Sequence, residues 1–135
     1  MLVLDSSTVL AWALDDEHPI GPELLAQLTT TETAIVPVHW ILEITNALRM
    51  AAKRRRLASS DPAKIIARIR NQPIEIDPET IVRGWAEIPA LADKYELTTY
   101  DAAYLELAMR LELPLATLDQ DLARAAREAG VPLYA

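Results

Sequence analysis

Short apolar runs alternate along this chain with longer stretches of helical periodicity. Leu2–Leu4 is one such run and reads as a buried strand. Ser6-Ser7-Thr8 then offers N-cap chemistry for a helix through Trp12 and Leu14, broken by Asp15-Asp16-Glu17-His18-Pro19. Pro22 at a first-turn position opens a helix to about Thr29, and Ala34–Val36 is a second short strand stopped by Pro37. From about Val38 to Leu57, Ile41, Ile44, Leu48 and Ala51/Ala52 recur at the three-four-three spacing of one helical face, and the segment ends in Lys53-Arg54-Arg55-Arg56.

Ser60-Asp61-Pro62 caps a helix to about Arg70, and Ile74-Glu75-Ile76 alternates like a strand. Asp77-Pro78 caps a further helix, expected to break at Pro89. Thr98-Thr99 starts a helix from Tyr100 to about Leu111. Pro114–Thr117 reads as a strand, followed by a helix from Asp119 or Gln120 to Ala129, with Gly130 as its stop. Val131–Tyr134 is the last expected strand. Strands separated by helices imply an α/β fold with a parallel sheet covered on both faces.

Four acids interrupt this pattern. Asp5 closes Leu2-Val3-Leu4, Glu43 sits among Trp40, Ile41, Leu42 and Ile44, Asp101 opens Ala102-Ala103-Tyr104-Leu105, and Asp119 follows Leu115-Ala116-Thr117-Leu118. A lone buried carboxylate is costly, so acids near a core are paired, capped or holding a cation. In parallel sheets ligands gather beyond the carboxyl ends of the strands. Asp5 and Asp119 fall just past two strand ends, and the helices carrying Glu43 and Asp101 can bring these to the same crevice. Each acid also has a local explanation. Asp5 and Asp119 can cap the helices that follow, and Asp101 can be a capping-box or dipole acid after Thr98. Glu43 can lie on the polar stripe of its helix, although no cap is needed two turns into it.

Two carboxylates about 4 Å apart repel by roughly 4 kcal/mol at an effective dielectric of 20. Four together need raised pKa values or a cation. With no cysteine in the 135 residues, the donors are oxygen only, which suits Mg²⁺ or Mn²⁺. Phosphodiester hydrolysis is the chemistry such a site serves best.

Composition narrows this picture. The length fits one domain over residues 1–135, and 51% hydrophobic residues exclude a disordered chain. No apolar run is long enough to span a membrane, and Met-Leu-Val-Leu-Asp is not a signal peptide; with no cysteine, a cytoplasmic location is expected. A net charge of −7 argues against a stoichiometric nucleic-acid binder. It argues less against an enzyme meeting nucleic acid through a bound cation, and it suits a basic protein partner.

Other candidates are weaker. Lys53–Arg56 could meet phosphates, but it is equally a solvated helix end. His18 and His39 have no partner in sequence and read as structural. Trp12, Trp40 and Trp85 read as core or interface residues, and no Gly-x-Ser-x-Gly elbow surrounds Ser6 or Ser7.

Four stretches resemble the PIN-domain nucleases, and more closely the VapC-type toxins of toxin–antitoxin pairs. They are Leu2-Val3-Leu4-Asp5-Ser6-Ser7, Glu43-Ile44-Thr45-Asn46-Ala47-Leu48, Thr99-Tyr100-Asp101-Ala102-Ala103-Tyr104-Leu105-Glu106-Leu107-Ala108 and Thr117-Leu118-Asp119-Gln120-Asp121-Leu122. The resemblance implies a three-layer α/β/α sandwich and a metal-dependent endoribonuclease. Asp5, Glu43 and Asp101 match the family's three acids and would ligate Mg²⁺ or Mn²⁺. Asp119 matches a more variable fourth acid, with Asp121 in reserve. Ser6 and Thr117 match positions that brace the acids, and Asn46 matches a common polar companion. The resemblance also implies RNA as substrate, a homodimer, and silencing by a VapB-type antitoxin. Two other readings stand beside it. One is a non-catalytic α/β protein-interaction module, in which the acids are caps. The other is a phosphotransfer or receiver domain, which the lack of any lysine after Lys94 and of Asp-x-Asp in the first strand disfavours.

Overall fold

The computed structural model describes residues 1–13, 26–27, 32–54 and 62–134. Within them the chain runs β1 (Leu2–Leu4), α1 (Ser6–Ala13), β2 (Ala34–Val36), α2 (Trp40–Lys53), α3 (Pro62–Arg70), β3 (Ile74–Ile76), α4 (Thr80–Arg83), α5 (Glu87–Tyr95), α6 (Thr99–Leu111), β4 (Leu115–Ala116) and α7 (Gln120–Ala129). Most of the helix expected from Pro22, together with His18, Arg55, Arg56 and the Ser60-Asp61 cap, lies outside the described residues.

The sheet order is β3-β2-β1-β4, with every neighbouring pair parallel. Val3 is opposite Ile35 on one side and Leu115 on the other. Strand order therefore reverses at β1, where successive strands turn from one edge to the other. The buried runs of β1, β2 and β4 are apolar throughout because helices cover both faces. β3 is an edge strand, and Ile76 remains 39% exposed. On one side α1, α2 and α3 pack in succession; on the other, α5 and α7 pack on α6, which in turn lies on β1. Right-handed crossovers place these two sets on opposite faces, giving three α/β/α layers.

Three expectations need correction. The chain breaks between Arg83 and Glu87, not at Pro89. Pro89 sits in the first turn of α5, where its missing N–H costs no helical bond. The strand expected over Val131–Tyr134 reduces to one parallel bridge, Leu115 with Leu133. β4 is only two residues long, so Leu115 alone binds there, to the Pro132 carbonyl and the Tyr134 N–H. Finally, α2 begins at Trp40 rather than Val38, because the chain turns at Val38-His39 and Trp40 N–H donates to the Pro37 carbonyl. Glu43 is therefore in the first turn of α2, not two turns in.

Candidate active site

All four acids lie at the N-terminal end of a helix: Asp5 before α1, Glu43 in the first turn of α2, Asp101 in the first turn of α6, and Asp119 as the N-cap of α7. β1, β2 and β4 deliver the helices that follow them at one edge of the sheet, and α6, which follows α5 and runs back towards β4, starts at that same edge, so the positive ends of the helices gather where the acids do. Those ends offset part of the negative charge. Of the capping roles considered, that of Asp119 is seen as a side-chain bond; α6 is capped by Thr98, and the Asp5 carboxylate accepts from hydroxyls.

Asp5 extends β1 by one hydrogen bond, its N–H donating to the Ala116 carbonyl at 3.0 Å. It is 4% exposed. Ser7 Oγ and Thr117 Oγ1 donate to its Oδ2 at 2.7 and 2.6 Å, and Ser6 Oγ approaches Oδ1 at 3.4 Å. Both bracing hydroxyls are themselves fixed: Ser7 Oγ accepts from Leu118 N–H, and Thr117 Oγ1 accepts from Asp119 N–H. Burial pushes the Asp5 carboxyl above its ordinary range, the Thr117 and Ser7 hydroxyls pull it back, and the Asp119 charge pushes it up again; the net direction is upward.

Asp101 is half-buried. Thr98 caps α6 by accepting from the Asp101 N–H at 3.1 Å. Burial first, then the charges of Asp119, Asp5 and Glu43, push the Asp101 carboxyl up to about 6. Asp101 therefore feels the charge of each of the other three acids. Asp119 also accepts from Leu122 N–H at 2.9 Å, the expected cap.

Glu43 accepts a hydrogen bond from the Tyr104 hydroxyl. Tyr104 is fully buried, and burial with the nearby Asp5 and Glu43 charges pushes its phenol well up, so it stays a neutral donor. His39 packs edge-on to Tyr104, with Nε2 3.0 Å from the Tyr100 carbonyl and 3.7 Å from Glu43 Oε1. These contacts join the start of α2 to α6 across the end of the sheet.

Ser7, Tyr104 and His39 are the site neighbours that sequence reasoning missed. Tyr104 had a usable signal: it is one helical turn after Asp101 and so on the same face. His39 had one as well, standing four residues before Glu43 and 3.7 Å from its carboxylate, although its other contact, the Tyr100 carbonyl, is 61 residues away. Two expected companions are not joined to the acids. Asn46 and Asp121 are exposed, and neither has a contact with the four carboxylates. Lys53 and Arg54 are exposed at the end of α2, away from this edge. Among the tryptophans, Trp40 is core and Trp12 packs against it with Arg68 over its ring, whereas Trp85 is solvent-exposed.

Among the described residues, no three His, Cys, Asp or Glu side chains form a ready metal-ligand set. The donor chemistry nevertheless fits a hard divalent cation. It is carboxylate oxygen, and Asp5 and Asp101 are raised by burial and like charge, a penalty that a cation would remove.

The PIN domain family model matches residues 2–128. The chain is 30% identical to Ribonuclease VapC12 of Mycobacterium tuberculosis over 128 residues, covering 92% of this chain and 91% of that protein. It is 33% identical over 121 residues to the VapC ribonuclease Mb0985 of Mycobacterium bovis, covering 88% and 86%. Among solved structures, PAE2754 from Pyrobaculum aerophilum superposes with a TM-score of 0.65 at 24% identity, covering 92% of this chain and 83% of that one. FitAcB from Neisseria gonorrhoeae gives 0.61 at 16% identity, covering 100% and 97%. At those identities the two structures speak to the fold alone. The family model and the mycobacterial relatives, each spanning most of the chain, go further: the chain belongs to the PIN-domain family, in its VapC branch.

Proposed function

We propose that this chain is an Mg²⁺- or Mn²⁺-dependent endoribonuclease that hydrolyses RNA phosphodiester bonds. The observation that carries the reading is the hydrogen bonding that draws the acid-bearing segments together at the switch point of a parallel sheet: Thr117 donates to Asp5 and accepts from Asp119 N–H, and Tyr104, one turn after Asp101, donates to Glu43. The ribonuclease names of the mycobacterial relatives support it. Asp5, Glu43 and Asp101 would hold the ion, with Asp119 as a fourth acid. Bound there, a divalent ion supplies a low-pKa water and neutralises charge at the scissile phosphate. The protein's own contribution is positioning. Ser7 and Thr117 fix the Asp5 carboxylate, Tyr104 fixes that of Glu43, and Thr98 sets the first turn that presents Asp101.

The setting proposed with it is the toxin half of a type II toxin–antitoxin pair, cytoplasmic, homodimeric and silenced by a VapB-type antitoxin. Ile81, Val82 and Trp85 stand 67, 71 and 86% exposed on and just after α4, apolar surface that supports a protein partner. Among the described residues, no helix is long and apolar enough to cross a membrane.

The rival, a non-catalytic interaction module, draws on the capping role of Asp119 and the lack of a ready ligand set among the described residues. Asp5→Asn and Asp101→Asn decide between them. On the nuclease reading, each abolishes RNA cleavage in Mg²⁺ or Mn²⁺ while circular dichroism shows the fold intact. Parent-like cleavage by both variants sinks the metal-site reading, and a parent that cleaves no RNA favours the module.

A further inference from the structure

Beside the acids the surface falls into an open bowl of about 640 Å³, whose lining includes Thr117, Asp119, Gln120, Asp121, Arg124 and Arg127. Its two rims differ in chemistry. One is shared with the acid site, since Thr117 braces Asp5 and Asp119 is the fourth acid. The other carries two guanidinium groups from α7. Residues three apart on a helix are neighbours, about 5–6 Å between Cβ atoms, so both guanidinium groups can reach one phosphate.

The two arginines are held differently. Arg124 donates to the Tyr95 carbonyl at 3.0 Å and lies 3.4 Å from Glu128, so its fork is anchored in place. Arg127 is exposed and has no hydrogen bond or ion pair among the described residues. In a chain with net charge −7, a guanidinium free of carboxylates beside a nest of acids is available to an incoming anion. Two carboxylates, Asp119 and Asp121, share this lining; both lie at the N-terminus of α7, whose positive end offsets part of their charge, and Asp119 also accepts from Leu122 N–H.

We infer that this bowl seats the RNA phosphate next to the scissile one, with Arg127 and the free edge of Arg124 as its donors. The inference rests on the nuclease reading above and names where its substrate runs. The lining includes no aromatic side chain, so no base stacks there. Contact is with the backbone alone, which gives affinity and register without sequence preference. The volume suits one nucleotide, being within the range of small-molecule sites.

The test uses Arg127→Ala and Arg127→Lys, since Arg127 is exposed and its loss leaves the fold alone. Binding is measured in the cleavage-dead Asp5→Asn background, with fluorescein-labelled oligouridine and oligoadenosine read by anisotropy from 50 to 200 mM salt. Arg127→Ala is expected to weaken both oligomers equally, by about tenfold, and to lower the salt slope by about 0.7. Arg127→Lys should keep the slope. In the active background the loss appears in KM with kcat held, and Mn²⁺ affinity is unchanged. Unaltered affinity and slope in Arg127→Ala, or a loss confined to one oligomer, overturns the inference. The two failures separate cleanly: a parent that cleaves no RNA removes the nuclease reading itself. A parent that cleaves, with an Arg127→Ala of unaltered KM, removes only the bowl.

Discussion

Asp101 carries two opposed demands on one carboxylate. Thr98 and the positive end of α6 favour its charge, while burial and three neighbouring acids oppose it, and the opposition wins, raising it from 3.8 to about 6. The consequence for stability has a definite sign. The folded carboxyl binds its proton more tightly than the unfolded chain does, so this group's effect is least harmful below 3.8. Its destabilisation grows as pH rises to about 6 and stays constant above. Asp101→Asn removes the charge. In EDTA at pH 7.5 it is expected to stabilise the fold by on the order of 1 kcal/mol, after allowing for solvent screening of a half-buried group. Urea unfolding of both proteins at pH 4 and 7.5 checks this: the advantage should be present at 7.5 and largely gone at 4. At this scale the acids themselves were legible in sequence, because a carboxylate closing an apolar run announces its cost. Of their braces, Thr117 and Ser6 were read from the resemblance, while Ser7 and Tyr104 were not. Tyr104 reads as one more core aromatic until the fold brings Glu43 to its hydroxyl, and Ser7 as a cap until its oxygen turns back to Asp5.

Between elements, the strongest polar tie lies away from the acid site. Arg110 of α6 donates to Asp77 at 2.7 Å, to Glu106 at 2.8 Å and to Glu79 at 3.1 Å, and Thr80 donates to Asp77 at 2.8 Å, joining α6 to the end of β3 and the start of α4. Burial would raise the Asp77 carboxyl, but the bonds from Arg110 and Thr80 outweigh it and hold it below 3.8. The sign is opposite to that of Asp101. The stability from Asp77 is present above 3.8 and is lost as pH falls through its lower folded value. Arg110→Met leaves the buried Asp77 with neutral donors, the Thr80 hydroxyl among them, and Glu106 with Arg83 at 3.8 Å, and should cost about 3 kcal/mol at pH 7 by urea unfolding. Asp77→Asn should flatten the fall of Tm between pH 4 and 2; an equally steep fall in both proteins would exclude the pair as an acid-labile tie. This network was invisible in sequence, since Asp77 and Arg110 are 33 residues apart. Helix ends were mixed. Gly130 showed the stop of α7 by its left-handed φ of 77°, whereas Glu96 and Glu112 adopt the same region at 55° and 54° without any residue-level signal. Pro89 misled because a proline marks a break only beyond the first helical turn.

For the whole molecule, strand order decides function. The alternation of apolar runs and helical stretches was enough to read a parallel α/β sheet. Which strand lies beside which was not, because no periodicity records neighbours. Placing β1 between β2 and β4 concentrates negative charge at one edge, and a ligand that neutralises it must favour the folded state. Mn²⁺ at 100 times its dissociation constant is expected to stabilise the parent by about 2.7 kcal/mol, several degrees in Tm, and EDTA to reverse it. Asp5→Asn should blunt the shift, while a parent whose Tm ignores Mn²⁺ and Mg²⁺ has no such site. The same strand order also sets a schedule. Asp5 and the Thr117 hydroxyl that fixes it are 112 positions apart. A ribosome releases β1 well before β4, so until β4 emerges the edge of β1 that it will occupy is empty and Asp5 lacks that anchor. On the proposed reading, a chain that has made β1 but not β4 cannot yet cut, and the cutting edge closes only once β4 has been added.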